Sequence, residues 1–245
     1  MGKLLTIDVG NTRAKAGVFS DGKLLRRLIF DRTAPEVLGT LFSRYTIEAA
    51  LLSSVADDAK KLEQFVRKHT SLHILDRSTR IPLRNSYKTP ATLGSDRLAC
   101  AIGAATIFPR KNVLAIDAGT CIKYDLVDRS GNYQGGSISP GIAMRLTSLH
   151  EHTGKLPLVA PEAVHKYIGK DTKTSILTGV ILGAAFELEG FVSRYRKDFP
   201  GLKVVLTGGD AGRLAKHLNF SIFASPDLVL VGLNRILEYD IATRK

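Results

Sequence analysis

The stretch that decides the fold is LAIDAGTCIKYDLVDRSG, residues 114–131, because it repeats a segment near the start of the chain. The earlier segment is LTIDVGNTRAKAGVFSDG, residues 5–22. Each has an apolar run, then Asp, Gly and Thr, then a second apolar run that ends at a turn with Gly. The two aspartates, Asp8 and Asp117, are offset by 109 residues (117 minus 8). A single gap at Asn11 aligns Gly10 with Gly119, Thr12 with Thr120 and Lys15 with Lys123.

A repeat of this length indicates that a whole structural unit is duplicated, since solenoids repeat at much shorter periods. The chain has 245 residues, of which 44% are apolar and 24% charged. That is enough for one large domain or two of about 110 to 130 residues. We therefore predict an N-terminal domain of residues 1–111 and a C-terminal domain of residues 112–245, divided near FPRKN. The terminal helix could pack back on the first domain.

Apolar periodicity predicts the same order of elements in both halves, which makes the protein α/β. Each half opens with three strands in a meander and continues with alternating helices and strands. In the first half we predict strands at 3–10, 13–20, 23–30, 48–55 and 71–76, and helices at 34–45, 56–69 and 96–108. In the second half we predict strands at 113–119, 122–128, 133–139 and 203–209, and helices at 140–153, 173–199, 210–218 and 228–242. Pro140 is expected in the first turn of its helix.

Composition excludes several classes of protein. No stretch reaches the roughly 18 uncharged apolar residues of a membrane span, and MGKLLTIDVG lacks the layout of a signal peptide, so we expect a cytoplasmic protein without a membrane partner. Two cysteines, Cys100 and Cys121, support neither a disulfide framework nor a cysteine metal site. The net charge of +12 would suit nucleic acid, an anionic membrane or small acidic ligands. The basic residues form no block, which favours a solvated surface that attracts ATP and an acidic substrate.

The chemistry of the repeated motif points to phosphate. Gly lets the backbone approach a ligand closely, and the Thr hydroxyl with the N–H groups of the turn can donate to phosphate oxygens. The carboxylate of Asp cannot do so, and its natural role is to hold a cation that neutralises the phosphate charge. One copy alone would be an ordinary turn after a strand, but two matching copies predict a clamp for a polyphosphate.

A third glycine cluster, TGGDAGRL at residues 207–214, also follows an apolar strand and opens a helix. Exposed N–H groups at such a point favour a polar or anionic ligand, although an ordinary strand-to-helix turn has the same pattern. No complete G-x-x-x-x-G-K-[ST] motif occurs, which argues against a P-loop kinase.

The duplicated plan with its third glycine turn resembles the superfamily of actin, Hsp70 and sugar kinases, in which two ribonuclease-H-like halves close over ATP, with the active site in the cleft. Within it the chain is similar to the type III pantothenate kinases over nearly its whole length. The motifs that carry this resemblance are DVGNT (8–12), YKTPATLGSDRL (87–98), DAGTCIKYD (117–125), GGSISPGIAM (135–144), HTGKLP (152–157), IGKDT (168–172) and TGGDA (207–211). LGSDRL and GGSISPG are specific to that family.

The resemblance implies transfer of the γ-phosphoryl group of ATP to the primary hydroxyl of pantothenate, with Mg²⁺ and a monovalent cation, K⁺ or NH₄⁺. It implies that Asp96 is the general base, that Asp117 binds the monovalent cation and that Thr120 contacts the nucleotide. The first phosphate loop would consist of Asp8, Val9, Gly10, Asn11, Thr12, Arg13, Ala14 and Lys15. The pantothenate site would consist of Tyr87, Gly94, Ser95, Asp96 and Arg97. Thr172 matches a substrate contact supplied across the interface of a homodimer.

Several residues have two interpretations. Arg97 could bind an oxyanion of a ligand or steady Asp96 in an ion pair. Asp125 and Glu187 could assist the cation or be structural carboxylates, and His150 and His152 form a pair without an acidic or cysteine partner at metal-ligand spacing. Three small residues at helical spacing predict close helix packing, which could include packing at a dimer interface: Gly179, Gly183 and Ala184. Cys121 stands where a small residue such as Ala is common, which predicts sensitivity to oxidation.

Two other classes of function stay open. One is a nucleic-acid-binding regulator on the same fold, although nucleic acid is not the expected partner; such a regulator would bind DNA with a steep salt dependence and without pantothenate turnover. The other is a different small-molecule kinase or a ribonuclease-H-like nuclease. A nuclease would need several carboxylates converging on two metals, whereas here the acids are divided between two loops.

Overall fold

The computed structural model describes residues 2–10, 13–54 and 60–244. The strands in these residues are β1 (Lys3–Val9), β2 (Ala14–Ser20), β3 (Lys23–Phe30), β4 (Ile47–Ser54), β5 (Ser71–Ile74), β6 (Arg84–Asn85), β7 (Val113–Ala118), β8 (Cys121–Val127), β9 (Asn132–Pro140), β10 (Lys203–Thr207) and β11 (Phe223–Ala224). The helices are α1 (Gly39–Arg44), α2 (Lys60–Arg67), α3 (Ser95–Ile107), α4 (Ile142–Glu151), α5 (Thr172–Asp198), α6 (Ala211–Ala215) and α7 (Leu228–Arg244). Short 3₁₀ turns cover Pro35–Leu38 and Pro90–Thr92.

Contacts between Cα atoms divide the chain into two compact units. Unit 1 consists of Met1–Pro109, Gly131–Tyr133 and Asp227–Lys245, and unit 2 of Arg110–Ser130 and Gln134–Pro226. The terminal helix α7 thus groups with the first unit, against α3 and β1.

Unit 1 contains a five-stranded sheet in the order β3-β2-β1-β4-β5. The first three strands form an antiparallel meander, whereas β4 and β5 run parallel to β1. Leu5, Ile7 and Val9 alternate onto one face and pack in a core with residues of α2. The other face carries a second cluster, in which Ala49 and Leu51 pack with α3 and α7. Both faces are therefore covered, as expected for strands this apolar.

Unit 2 repeats this plan in the order β9-β8-β7-β10-β11. The β7 and β8 strands pair antiparallel, and β10 and β11 run parallel to β7. Both units thus build a three-strand meander and extend it on the other side with two parallel strands. The two-residue strand β6 pairs with Asn132 and Tyr133, the start of β9 that groups with unit 1.

The long helix α5 covers one face of the unit 2 sheet. Leu177, Ile181 and Leu188 pack against Ile116 and Tyr124 in a single core cluster. By length and composition alone α5 could cross a membrane, and half of its most apolar window is buried. It is the single such helix in the described part of the chain.

Three predicted elements differ from the structure, and two short strands were not predicted. The segment predicted as one helix at 34–45 opens as a 3₁₀ turn, with Pro35 in its first turn, before α1 begins at Gly39. Pro140 ends β9 and does not begin α4, because the backbone is still extended at Gly141 (ψ 175°). Helix α6 stops at Ala215, well before residue 218. Strands β6 and β11 were not predicted, since two residues carry no periodicity.

Candidate active site

The first phosphate loop lies between β1 and β2. Asp8 is near the end of β1, where its Cα pairs with Lys15 on one side and Ser53 on the other. The N–H of Gly10 donates to the carbonyl of Arg13 at 3.1 Å, which closes the turn tightly. Val9 and Ala14 are buried and anchor its two ends. The predicted loop residues Asn11 and Thr12 lie outside the described residues.

Asp96 lies in the first turn of α3, where the helix dipole favours a carboxylate. Its Oδ1 accepts the N–H of Arg97 at 2.8 Å. The preceding residue, Ser95, is 2.9 Å from Ser53 between the two Oγ atoms. Because Ser53 is also the register partner of Asp8, the first loop and the start of α3 meet at the carboxyl edge of the unit 1 sheet.

The residues predicted to bind pantothenate also come together in unit 1. Arg97 is only 6% exposed. The Cζ atom of Arg97 lies 5.7 Å from the ring centroid of Tyr87, a cation–π distance. The ring of Tyr87 is 6.1 Å from that of the buried Tyr133. Sequence reasoning missed Tyr133, because only the pairing of β6 with β9 brings it to this place.

The second phosphate loop connects β7 and β8 in unit 2. Asp117 and Lys123 are register partners across these strands, and their Oδ2 and Nζ atoms are 2.7 Å apart. The N–H of Gly119 donates to the carbonyl of Cys121 at 3.0 Å. The carboxylate predicted to bind a monovalent cation therefore already holds an ammonium group, so the described geometry does not fit an open K⁺ or NH₄⁺ site at this oxygen.

Two glycines press against the backbone of this second loop. The N–H of Gly141 donates to the carbonyl of Thr120 at 3.0 Å, and a Cβ at Gly141 would lie 2.1 Å from the carbonyl of Gly119. Gly208 has a φ of +98°, and a Cβ there would lie 2.2 Å from the carbonyl of Ala118. A larger residue at Gly141 or Gly208 would therefore clash with the backbone. The glycines of the motifs GGSISPG and TGGDA hold the loop that carries Thr120 in place.

Glu187 on α5 organises the turn before α4. Its carboxylate accepts hydrogen bonds from the hydroxyl of Tyr124 at 2.8 Å, from Ser139 and from the guanidinium of Arg145. The Nε of Arg145 donates to the carbonyl of Pro140 at 2.8 Å. Burial would raise the pKa of Glu187, but hydrogen bonds from Ser139, Arg145 and Tyr124 hold that pKa below its usual value.

At two other groups of unit 2, in contrast to Glu187, burial leaves the pKa above its usual value. It raises the pKa of Tyr124, an effect that the Glu187 carboxylate reinforces. Burial also raises the pKa of Asp210, although the guanidinium of Arg213 at 2.6 Å favours the charged carboxylate.

Thr172 begins α5 and is exposed. The residue before it, Asp171, caps the helix by accepting the N–H of Thr174 at 2.8 Å, which holds the pKa of Asp171 below its usual value. A cavity of about 240 Å³ lies beside this end of the helix. A larger one of about 560 Å³ lies between α4 and α5 and is lined in part by Met144 and Gly179. No described contact joins Thr172 to the loop of Asp117.

The residues of the remaining predictions are placed as follows. His150 is 2.8 Å from the carbonyl of Leu156 through its Nδ1. In residues 2–10, 13–54 and 60–244, no group of three or more His, Cys, Asp or Glu is arranged to hold a metal ion. Asp125 is 1% exposed, and Cys121 is partly exposed. Ala184 is buried in the unit 2 core, whereas a Cβ at Gly183 would meet no described atom within 4 Å.

Comparison with known proteins identifies relatives along the whole chain. The family model described as type III pantothenate kinase matches residues 4–194. A type III pantothenate kinase of Christiangramia forsetii is 44% identical over 238 residues, 96% of this chain and 98% of the relative. One from Flavobacterium johnsoniae is 40% identical over 240 residues, 97% of this chain and 98% of the relative.

Solved structures share the fold at low sequence identity. A candidate Baf family transcriptional activator from Campylobacter jejuni has a TM-score of 0.62 at 19% identity and covers 97% of this chain and 99% of its own. The activator of 2-hydroxyisocaproyl-CoA dehydratase from Clostridium difficile has a TM-score of 0.52 at 12% identity, covering 99% of this chain and 97% of its own. These similarities confirm the predicted α/β fold with duplicated halves, and at this identity they carry no function.

Proposed function

The chain belongs to the type III pantothenate kinases, and from this membership we propose which residues carry the reaction. The enzyme phosphorylates pantothenate to 4'-phosphopantothenate at the expense of ATP, the first step of coenzyme A biosynthesis. ATP is used with a divalent metal ion, which when bound supplies charge neutralisation at the phosphates. The regulator alternative is not favoured, because the family model and the relatives name a kinase.

Asp96 is the general base. The observation that supports it is the hydrogen-bonded pair Ser53–Ser95, which ties the start of α3 to the strand beside Asp8. A carboxylate at this edge can orient the substrate hydroxyl and accept its proton late in the transfer, because phosphoryl transition states are loose and depend mostly on positioning.

The phosphate contacts come from both repeated loops. In the first, the loop of residues 8–15 contacts the phosphate oxygens, and Asp8 offers the hard oxygen ligand that Mg²⁺ prefers. In the second, Thr120 contacts the nucleotide, and Gly141 and Gly208 hold its backbone. The cation at Asp117 is either a monovalent ion, K⁺ or NH₄⁺, or the ammonium group of Lys123.

Pantothenate binds to Tyr87 and to the segment Gly94–Arg97. The buried Arg97, stacked on Tyr87, can receive the carboxylate of pantothenate or the developing phosphate charge. Thr172 completes this site from a second copy of the chain.

The enzyme is a homodimer that acts in the cytoplasm, where its ATP is available. An unfilled surface on α4 and α5 supports the dimer. Met144 is 41% and Phe186 59% exposed there, and a Cβ at Gly179 or Gly183 would meet no described atom within 4 Å.

The test of Asp96 is release of ADP with purified protein, pantothenate and Mg-ATP. We expect pantothenate-dependent turnover in the wild type and a loss of about 10² to 10⁴ in kcat for Asp96→Asn. Asp198→Asn is the matched control, because Asp198 is exposed at the far end of α5. Full activity of Asp96→Asn would show that another group is the base, and absence of pantothenate-dependent turnover in the wild type would contradict the kinase function itself.

A further inference from the structure

A polar row crosses the unit 2 sheet beside the second phosphate loop. Thr207, Asp117 and Lys123 are successive register partners on β10, β7 and β8. Their neighbours in sequence, such as Ile116 and Ile122, point to the core under α5. Because side chains alternate along a strand, the row lies on the opposite face of the sheet.

The ammonium group of Lys123 is held within this row. Its Nζ is 2.7 Å from Oδ2 of Asp117, and the two side chains are only 18% and 17% exposed. At this distance the contact is a charge-assisted hydrogen bond, which is stronger than a neutral one. Partial burial also protects the pair from screening by salt.

The chemistry of Lys123 matches the ion expected at Asp117. The ion implied by the family resemblance is K⁺ or NH₄⁺, each carrying one positive charge. The end of a lysine side chain is an alkylammonium group, the tethered equivalent of NH₄⁺, with three N–H donors for carboxylate or phosphate oxygens. Its tether keeps it at a high effective concentration whatever the salt around it.

We propose that Lys123 is the resident cation of this phosphate loop and takes the place of the monovalent ion at Asp117. The enzyme then needs neither K⁺ nor NH₄⁺. This inference rests on the proposal that Asp117 is the cation position beside the nucleotide.

Removal of the ammonium group should create a site for a free cation. Asp125 lies two residues from Lys123 on the same face of β8 and is 1% exposed. In Lys123→Met, two carboxylates would share that face with no lysine between them, and a monovalent ion would be drawn in to balance them.

The experiment measures pantothenate-dependent ADP release in choline, sodium, potassium and ammonium chloride at equal ionic strength. ADP is quantified by chromatography, so that no coupling enzyme adds a salt requirement of its own. We expect the wild-type rate to vary less than about threefold among the four salts. Lys123→Met should lose about tenfold or more in choline, as for other groups that stabilise transition-state charge, and regain most of that loss in K⁺ or NH₄⁺.

Two further variants control for folding and for charge. Lys123→Arg keeps a tethered cation and should remain independent of the salt. Lys203→Met removes an exposed lysine at the start of β10 and should behave as the wild type. Either a wild type that K⁺ activates by more than about threefold, or a Lys123→Met that keeps its full rate in choline, would overturn the proposal.

A binding measurement tests the role of Lys123 without relying on turnover. Thallous ion, a spectroscopic replacement for K⁺, is titrated and followed by ²⁰⁵Tl NMR. We expect binding by Lys123→Met, its loss in the double variant with Asp117→Asn, and none by the wild type. Thallous binding by the wild type that Asp117→Asn abolishes would overturn the inference, as would its absence from Lys123→Met. A wild type without turnover in any salt would instead contradict the kinase function.

Discussion

The carboxylate of Glu187 should stabilise unit 2 more than any surface ion pair of the protein. It joins three elements, since its partners are Tyr124 on β8, Ser139 on β9 and Arg145 on α4. Replacement of Glu187 by Ala leaves the hydroxyl of the fully buried Tyr124 without this acceptor, at a cost of about 1 to 3 kcal/mol. Arg145 is 22% exposed and can regain water, so its share is at most about 1 kcal/mol.

The expected loss for Glu187→Ala is therefore about 1 to 4 kcal/mol in the free energy of unfolding. For a chain of this size, 1 kcal/mol corresponds to about 2 to 4 °C in Tm, so we expect a decrease of roughly 2 to 16 °C. The chain has no Trp, and circular dichroism is thus the suitable probe. A double-mutant cycle with Arg145→Met separates the contribution of the Glu187–Arg145 ion pair to the free energy of unfolding from the contributions of the other hydrogen bonds of Glu187.

The same change should weaken ATP binding, because the turn after Ser139 leads to Gly141, which donates to the carbonyl of Thr120. We expect a rise in the KM for ATP and little change in the KM for pantothenate. The pKa of Glu187 is lowered by its hydrogen bonds, so its contribution to stability is present above its unfolded pKa of about 4.3 and disappears as pH falls through the folded value. A Tm within about 1 °C of wild type at pH 7 would refute this account of Glu187.

Two further changes test the packing of each unit. Gly208→Ala places a methyl group 2.2 Å from the carbonyl of Ala118 at a φ of +98°, and should raise the KM for ATP by about tenfold or more; steady-state kinetics with an unchanged KM for ATP would show that this turn does not support the nucleotide loop. In unit 1, Asp240→Asn removes a buried carboxylate that accepts the N–H of Arg80 at 3.2 Å and lies 2.8 Å from Nε of Arg244, at an expected cost of about 2 to 4 kcal/mol. Burial would raise the pKa of Asp240, but its partners, Arg244 foremost, lower it, so its stabilisation is lost as pH falls below about 4; thermal melts with a constant difference from pH 7 to pH 3 would contradict this.

Most of the fold could be predicted because the signals for it are local. Short apolar runs in β1, β2, β7 and β8 indicate strands that are buried for most of their length, whatever the distant parts of the chain do. The repeated motif also predicted that the two halves share the same order of strands and helices. The two-residue strands β6 and β11 have no such signal and exist only because other strands lie beside them.

The sequence by itself determined the family and the residues expected to react, since each motif keeps its residues close together along the chain. It showed Lys123 aligned with Lys15 but assigned it no role, and it left Glu187 between two interpretations. Only the tertiary structure showed which residues Lys123 and Glu187 contact. Lys123 meets Asp117 because a hairpin sets their register, and Glu187 meets Arg145 across 42 residues because α5 returns over the sheet. Such contacts depend on how the backbone returns on itself, which no local pattern of residues specifies.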